Sequence, residues 1–337
     1  MVHLITAVVQ LEDAMRRACY YSHGDPEVLV VEETAVPEPG PGQVLIRAEA
    51  TGLNYVDVQI RRASEASSMF HRPVPAGLTG DVVGTVERVG EGTDPALAGT
   101  RVAALTEDAC AEYVVADADW VVPVPADLNA EAASMLPTMG VVALGALRLG
   151  RVTEGDTVLV TAAAGGVGHL AIQLARHLGA GTVIAAAGST AKAGFLKELG
   201  ADSTVDYSQP DWAEQVRQAF PNGVNVILEA VGGGTLLDCI ELLAPFGRTV
   251  GYGAANGEWG SVPLLRLAAL KTLSAFSLLA LRAAAPEQAR ANNAELARLL
   301  ESGELRAVTK TLPLADIAKA HRLFEERSVL GRLVLTP

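Results

Sequence analysis

The chain has 337 residues, half of them apolar and 19% charged, with a formal net charge of −13. That length and balance describe a soluble globular protein with room for two cored domains, and so acidic a surface disfavours nucleic acid and anionic membranes as partners. The three cysteines (Cys19, Cys110 and Cys239) are scattered with no CxxC pair, which excludes a disulfide framework or structural zinc knuckle and suits a reducing cytoplasm.

Residues 1–14 have no basic region ahead of their apolar stretch, so they read as an extension rather than a signal peptide, with Met15 an alternative start. Arg17–Val31 predicts two strands around a turn at Gly24–Pro26, and Pro37-Glu-Pro-Gly-Pro-Gly42 predicts a loop. Gln43–Ala50 and Val82–Val89 alternate apolar and polar, as half-buried strands do. Short strands separated by Gly and Pro continue to about Pro125, predicting a barrel-like β domain.

The pattern changes near Ala130. Ala130–Leu149 is helical in composition, with Pro137 inside. Strand and helix then alternate: strands at Thr157–Ala162, Thr182–Ala187, Val224–Glu229 and Thr249–Tyr252, helices at Gly168–Leu178, Ala191–Leu199 and Thr235–Leu243. This alternation predicts a doubly wound parallel sheet of the α/β class. Leu264–Leu281 is apolar but broken by Arg266 and Lys271, predicting a buried or interface segment rather than a membrane span. Helices at Pro286–Ser302 and Leu314–Glu326 and a strand at Leu333–Thr336 close the chain.

The stretch Ala162-Ala163-Ala164-Gly165-Gly166-Val167-Gly168 follows a strand and opens an amphipathic helix. A glycine-rich loop in that context predicts a dinucleotide site, with pyrophosphate held at the helix N-terminus. Gly165 would let the backbone approach the pyrophosphate, Gly168 would allow close helix–strand packing, and Ala163 stands at the first glycine position of the fingerprint. NAD-specific sites carry an acid about 20 residues on. Here that strand end reads Ala185-Ala-Ala-Gly-Ser-Thr-Ala-Lys192, with Ser189 and Lys192 as a donor and a cation suited to a 2′-phosphate, so NADPH is the expected cofactor.

Several further motifs occur in order: Gly52-Leu-Asn-Tyr-Val-Asp57, Pro75-Ala-Gly-Leu-Thr-Gly-Asp-Val-Val-Gly84, Gly99-Thr-Arg-Val102, Ala111-Glu-Tyr113, Gly200-Ala-Asp202 and Gly331-Arg-Leu-Val-Leu335. With the glycine loop they resemble the medium-chain dehydrogenase/reductase superfamily, in its zinc-independent quinone oxidoreductase-like branch. The resemblance covers nearly the whole chain from Arg17. It implies a GroES-like catalytic domain from residues 1–135 with 276–337, and a Rossmann domain from residues 136–275. Zinc-dependent relatives carry Gly-His-Glu where this chain has Gly80-Asp81-Val82, and the scattered His and Cys offer no evident ligand set, so no metal is expected.

The resemblance also implies roles. Asn54 would hydrogen-bond near the nicotinamide ribose or the substrate oxygen, Tyr55 would wall the pocket, and Gln59 stands where relatives often have Tyr and could donate to an oxygen. Tyr207 and Arg327 would lie near the adenosine phosphates. Val231, Gly251 and Gly253 would line the cofactor cleft, and Phe276 would either line the nicotinamide pocket or sit in the core. Asp57 is expected to be structural, and Glu229 either near the nicotinamide or a solvated strand-end acid. The stretch Arg62–Pro73 departs from relatives, and its His71 is a candidate acid or a surface spectator. The implied activity is hydride transfer from NADPH to a quinone, enone or other activated alkene. A dedicated biosynthetic alkene reductase and a catalytically silent NADPH-binding regulator are the alternatives. Assembly as a homodimer or homotetramer is expected, as in relatives.

Overall fold

The computed structural model describes residues 14–64, 70 and 72–337. The extension before Ala14 and the candidate acid His71 lie outside the described residues.

The first part is strand-rich. It contains β1 (Ala14–Tyr20), β2 (Leu29–Ala35), β3 (Gln43–Gly52), helix α1 (Val56–Arg61), β4 (Ala76–Gly77), β5 (Gly80–Val89), β6 (Arg101–Thr106), β7 (Tyr113–Asp117) and β8 (Val122–Pro123). Strands β2, β1 and β4 form one small sheet, and β3, β5, β6 and β8 run side by side in a second, with β7 also paired to β3. The period-2 pattern in β3 sends Val44, Ile46 and Ala48 to one face, where they pack with Val82, Val86 and Val102.

The predicted helix Ala130–Leu149 is three pieces: α2 (Ala130–Ala133), a π-type turn at Leu136–Gly140, and α3 (Val141–Leu149). Asn129 starts it by accepting from Ala132 N at 2.7 Å. Pro137 has no N–H to donate to the preceding turn, so the helix widens there and resumes at Val141.

The alternating part folds into β9 (Thr157–Val160), α4 (Gly168–His177), β10 (Thr182–Ala187), α5 (Ala193–Glu198), β11 (Ser203–Asp206), α6 (Trp212–Ala219), β12 (Val224–Glu229), α7 (Gly233–Leu242), β13 (Leu243–Gly251) and β14 (Thr272–Ala275). All six strands are parallel, in the order β11-β10-β9-β12-β13-β14. The order reverses between β10-β9 and β12, which opens a crevice at the carboxyl ends of the strands. Sequence reading missed β11, α6 and β14; each strand is only four residues long.

The stretch Leu264–Leu281 is divided: Leu264 and Leu265 are 82% and 83% exposed, and β14 forms the sheet edge beyond them. Helices α8 (Leu278–Ala284) and α9 (Pro286–Glu301) follow, and Leu296 and Leu299 of α9 share a core with Leu144 and Leu147 of α3. Only then does the chain return to the strand-rich part, as β15 (Thr309–Pro313), α10 (Ile317–Glu325) and β16 (Arg332–Thr336). Strand β16 pairs with the end of β3.

Close packing where β9 meets α4 sets the crevice floor. A Cβ at Gly168 would lie 2.5 Å from Ala162 O and 2.6 Å from Ala163 Cα, both backbone atoms. Gly168→Ala should therefore cost about 1–3 kcal/mol through overpacking, read as a lowered urea midpoint with unchanged slope; an unaltered midpoint would show that the loop yields freely.

Candidate active site

The glycine loop leaves β9 through Ala162, which takes the left-handed conformation at φ +46°. Ala163 stands at the fingerprint's first position, yet its neighbour makes the turn. Ala163 N donates to Ala186 O at 3.0 Å, and Gly165 N donates to Ala162 O at 3.0 Å. A Cβ at Gly165 would meet only Ala162 O, at 3.3 Å, which leaves space above it. Gly166 lies against Met139 of the π-type turn, and Val167 precedes the first residue of α4.

The other domain holds this loop from behind. Gly331 N donates to Ala164 O at 2.8 Å. His169 is fully buried and bridges two segments: its Nε2 accepts from Val308 N at 3.2 Å, so its Nδ1 carries the proton and donates to Gly165 O at 2.9 Å. Burial lowers its pKa to about 4, keeping the ring neutral. Sequence reading missed His169, because its partner lies 139 residues away.

At the end of β10 several residues expected to meet phosphate come together. Lys192 Nζ donates to Arg327 O at 2.7 Å, bringing the two cations side by side. Burial and then the Arg327 charge lower the Lys192 pKa. Among the described residues neither cation has a carboxylate partner. The Tyr207 ring packs beside Gly188, and burial raises its pKa while Arg327 opposes the rise. Ser189 Oγ accepts from Ala191 N at 3.2 Å, capping the turn that carries Lys192. Donors and cations with no carboxylate partner among the described residues fit a phosphomonoester on a ribose; the Asp206 carboxylate nearby is engaged by Ser208 N and Oγ.

Across the crevice lies a fully buried ion pair. Arg332 of β16 contacts Asp81 of β5 and Ser134 O, and its Nη2 donates to Asn54 Oδ1 at 3.1 Å. Thr138 Oγ1 donates to Asp81 at 2.5 Å. Burial pushes the Asp81 carboxyl up, and Arg332 with Thr138 pulls it back. Gly52 makes room, since a Cβ there would lie 2.4 Å from the guanidinium. Arginine has only donors, so it turns the Asn54 oxygen inward and leaves its amide N–H groups for another partner. Asp57 is buried and structural, as expected: it accepts from Thr79 N and Oγ1 at 2.8 and 2.6 Å, and burial raises its pKa to about 6.

Tyr55 and Gln59 face the opposite domain. Tyr55 Oη donates to Ala255 O at 3.2 Å, and Gln59 Nε2 to Ala254 O at 2.7 Å. One of the two amide hydrogens of Gln59 is thus committed to backbone. Val231 is buried with its N–H bonded to Glu229 and its carbonyl to Asn256 N. Gly251 accepts from Phe276 N at 2.8 Å, and Gly253 packs near Ala230. The Phe276 ring presses on Gly145 of α3, where a Cβ would lie 2.4 Å from it, so its contact is with the core. Glu229 is not a solvated strand end: it is buried and accepts from the N–H groups of Val231 and Gly232.

A strand-rich domain facing a doubly wound domain, with a dinucleotide cradle on one wall and an oriented amide on the other, defines a dinucleotide-dependent oxidoreductase. The family model described as alcohol dehydrogenase GroES-like domain matches residues 40–126, and that described as zinc-binding dehydrogenase matches residues 166–295. The chain is 31% identical to a 2-haloacrylate reductase of a Burkholderia species, over 95% of this chain and 98% of that protein. It is 32% identical to a quinone oxidoreductase of Pseudomonas aeruginosa, over 96% and 99%. A mycobacterial protein solved in complex with NADPH superimposes with a TM-score of 0.87 at 34% identity, over 96% of this chain and 100% of that one. The chain belongs to the medium-chain dehydrogenase/reductase superfamily, in its zinc-independent quinone oxidoreductase-like branch.

Zinc, which one family description names, does not fit these residues. The guanidinium of Arg332 sits among Asp81, Asn54 and Ser134 O, and no three His, Cys, Asp or Glu converge among the described residues.

The His169 bridge has a pH signature. Its folded pKa of about 4 lies below the unfolded value of 6.5, so its contribution is complete above pH 6.5 and is lost as pH falls toward 4. That loss amounts to on the order of 3 kcal/mol at 1.36 kcal/mol per pKa unit. His169→Gln, which does not titrate, should lose less stability than the parent between pH 6.5 and 4.5 in urea titrations; parallel curves would remove His169 from the account.

Proposed function

We propose that this oxidoreductase uses NADPH to reduce an activated carbon–carbon double bond or a quinone. The observation that carries the reading is the oriented amide of Asn54, held by a buried arginine at the wall of the crevice. NADPH, when bound, supplies the hydride. The loop from Ala162 to Gly168 and the α4 N-terminus would hold its pyrophosphate. Lys192, Arg327, Ser189 and Tyr207 would hold its 2′-phosphate end.

Hydride addition to the β-carbon of an enone, or to a quinone, pushes an electron pair onto a carbonyl oxygen. An N–H donor fixed before the reaction stabilises that charge without reorganising. Asn54 meets this requirement, because Arg332 already occupies its oxygen and cannot turn to accept. Solvent supplies the proton that completes the reduction. Asp81 and Thr138 act through Arg332, as positioning residues. Support for an alkene or quinone comes from the relatives named 2-haloacrylate reductase and quinone oxidoreductase.

Asn54→Ala should lower kcat by about 100-fold, the usual magnitude for losing one oxyanion donor, with a much smaller change in KM, in assays of NADPH oxidation with quinones, enones and haloacrylates. No turnover by the parent across that panel would leave a silent NADPH-binding protein as the better reading. Lys192→Ala and Arg327→Ala should each weaken NADPH binding by about tenfold, as expected for one lost charge-assisted bond, and leave NADH binding unchanged. Equal parental affinity for the two cofactors would overturn the phosphate assignment.

A further inference from the structure

Tyr55 and Gln59 are crevice side chains that the proposed chemistry does not use. They stand four residues apart, at the start and middle of α1, and so project from one face. Their targets are the carbonyls of two successive residues, Ala255 and Ala254, in the loop that follows β13. This loop is fastened on its other side to the end of β12: Tyr252 N donates to Glu229 O, Ala255 N to Ala230 O and Asn256 N to Val231 O, each at 2.9–3.0 Å. It is therefore a fixed part of the nucleotide-domain wall, and the two bonds from α1 cross from one domain to the other.

The loop lies at the carboxyl ends of β12 and β13, where a ligand of this sheet binds. The anchor on the barrel side is firm: the Tyr55 ring meets Phe324 of α10 edge-on, with centroids 6.0 Å apart. Asn54, next in sequence to Tyr55, is locked to Arg332. By contrast, both bonds to the loop are neutral and only half-buried, so breaking them exposes no uncompensated charge and water can replace them.

We infer that Tyr55 and Gln59 form a latch between the two domains that closes the crevice over the nicotinamide cofactor and sets how fast the cofactor leaves. They are positioning residues: the Tyr55 hydroxyl and one Gln59 amide hydrogen are engaged with backbone carbonyls, and the latch must part for cofactor to exchange. The inference rests on the proposed NADPH reading.

The test is stopped-flow measurement of NADPH dissociation, followed by nicotinamide fluorescence after a chase with excess NADP⁺. Gln59→Leu and Tyr55→Phe should each speed dissociation about fivefold, the factor carried by one ordinary hydrogen bond, and the double variant should exceed either. Gln59→Glu supplies a reversible control. Its protonated side chain can donate to Ala254 O, whereas its carboxylate repels that oxygen. Compared with the parent at the same pH, dissociation from this variant should be equal at pH 5 and several-fold faster at pH 8, a ratio from which the titration of Asp57, common to both proteins, cancels. A purely structural loss would not reverse with pH.

Dissociation rates within twofold of the parent in both Gln59→Leu and Tyr55→Phe would overturn the latch. So would a raised KM for the alkene or quinone with unchanged cofactor rates, which would make Gln59 a substrate contact. Failure of the parent itself to bind NADPH would instead overturn the proposed cofactor, and the latch with it.

Discussion

The structure depends on one buried ion pair. Arg332, near the end of the chain, reaches from β16 across β3 at Gly52 to Asp81 on β5, and neither side chain touches solvent. Burying two charges costs several kcal/mol each unless the geometry and the surrounding hydrogen bonds offset it. Here the offsets come from separate parts of the chain: Thr138 and Ser134 from the crossover, and Asn54 from the start of α1. Closing the pair therefore brings the barrel, the last strand and the entry to the nucleotide domain to one point. The same closure orients the one amide that the proposed chemistry needs, so the stability of the site and its reactivity share a cause.

Around that point the two domains are coupled through backbone carbonyls. Val308 and Gly331, on the return to the barrel, hold the dinucleotide loop by way of His169 and Ala164 O. Tyr55 and Gln59 reach the opposite wall at Ala254 and Ala255. The first set passes through a fully buried, neutral imidazole; the second is made by half-buried side chains. Bonds of the first kind keep the cradle in shape, since breaking them strands polar groups away from water. Bonds of the second kind can exchange with water at little cost, which is what an opening crevice requires.

Legibility in the sequence followed the range of the interaction. The glycine loop, the strands β10 and β12 and the helix α4 were readable because their signals are local: periodicity, a turn composition, a residue with no Cβ. Ser189 and Lys192 were candidates for the same reason, as they lie on the segment that follows β10. Four-residue strands such as β11 and β14 carry too few residues for a pattern, and they form because parallel neighbours bury them. Phe276 was ambiguous until its ring was seen against Gly145, and Glu229 until its carboxylate was seen to cap Val231 and Gly232.

By itself the sequence determined the two-domain order, the dinucleotide cradle, the absence of an acid after β10 and the residues at the crevice wall. Each follows from spacing within a few dozen residues or from motifs that a family shares. Only the tertiary structure decided what those wall residues do. Asn54 is a donor because Arg332, 278 residues away, occupies its oxygen. Gln59 is tied to the opposite wall because Ala254, 195 residues away, takes one of its amide hydrogens. A side chain's hydrogen-bonding role is set by which partner reaches it first in space, and no local pattern records that.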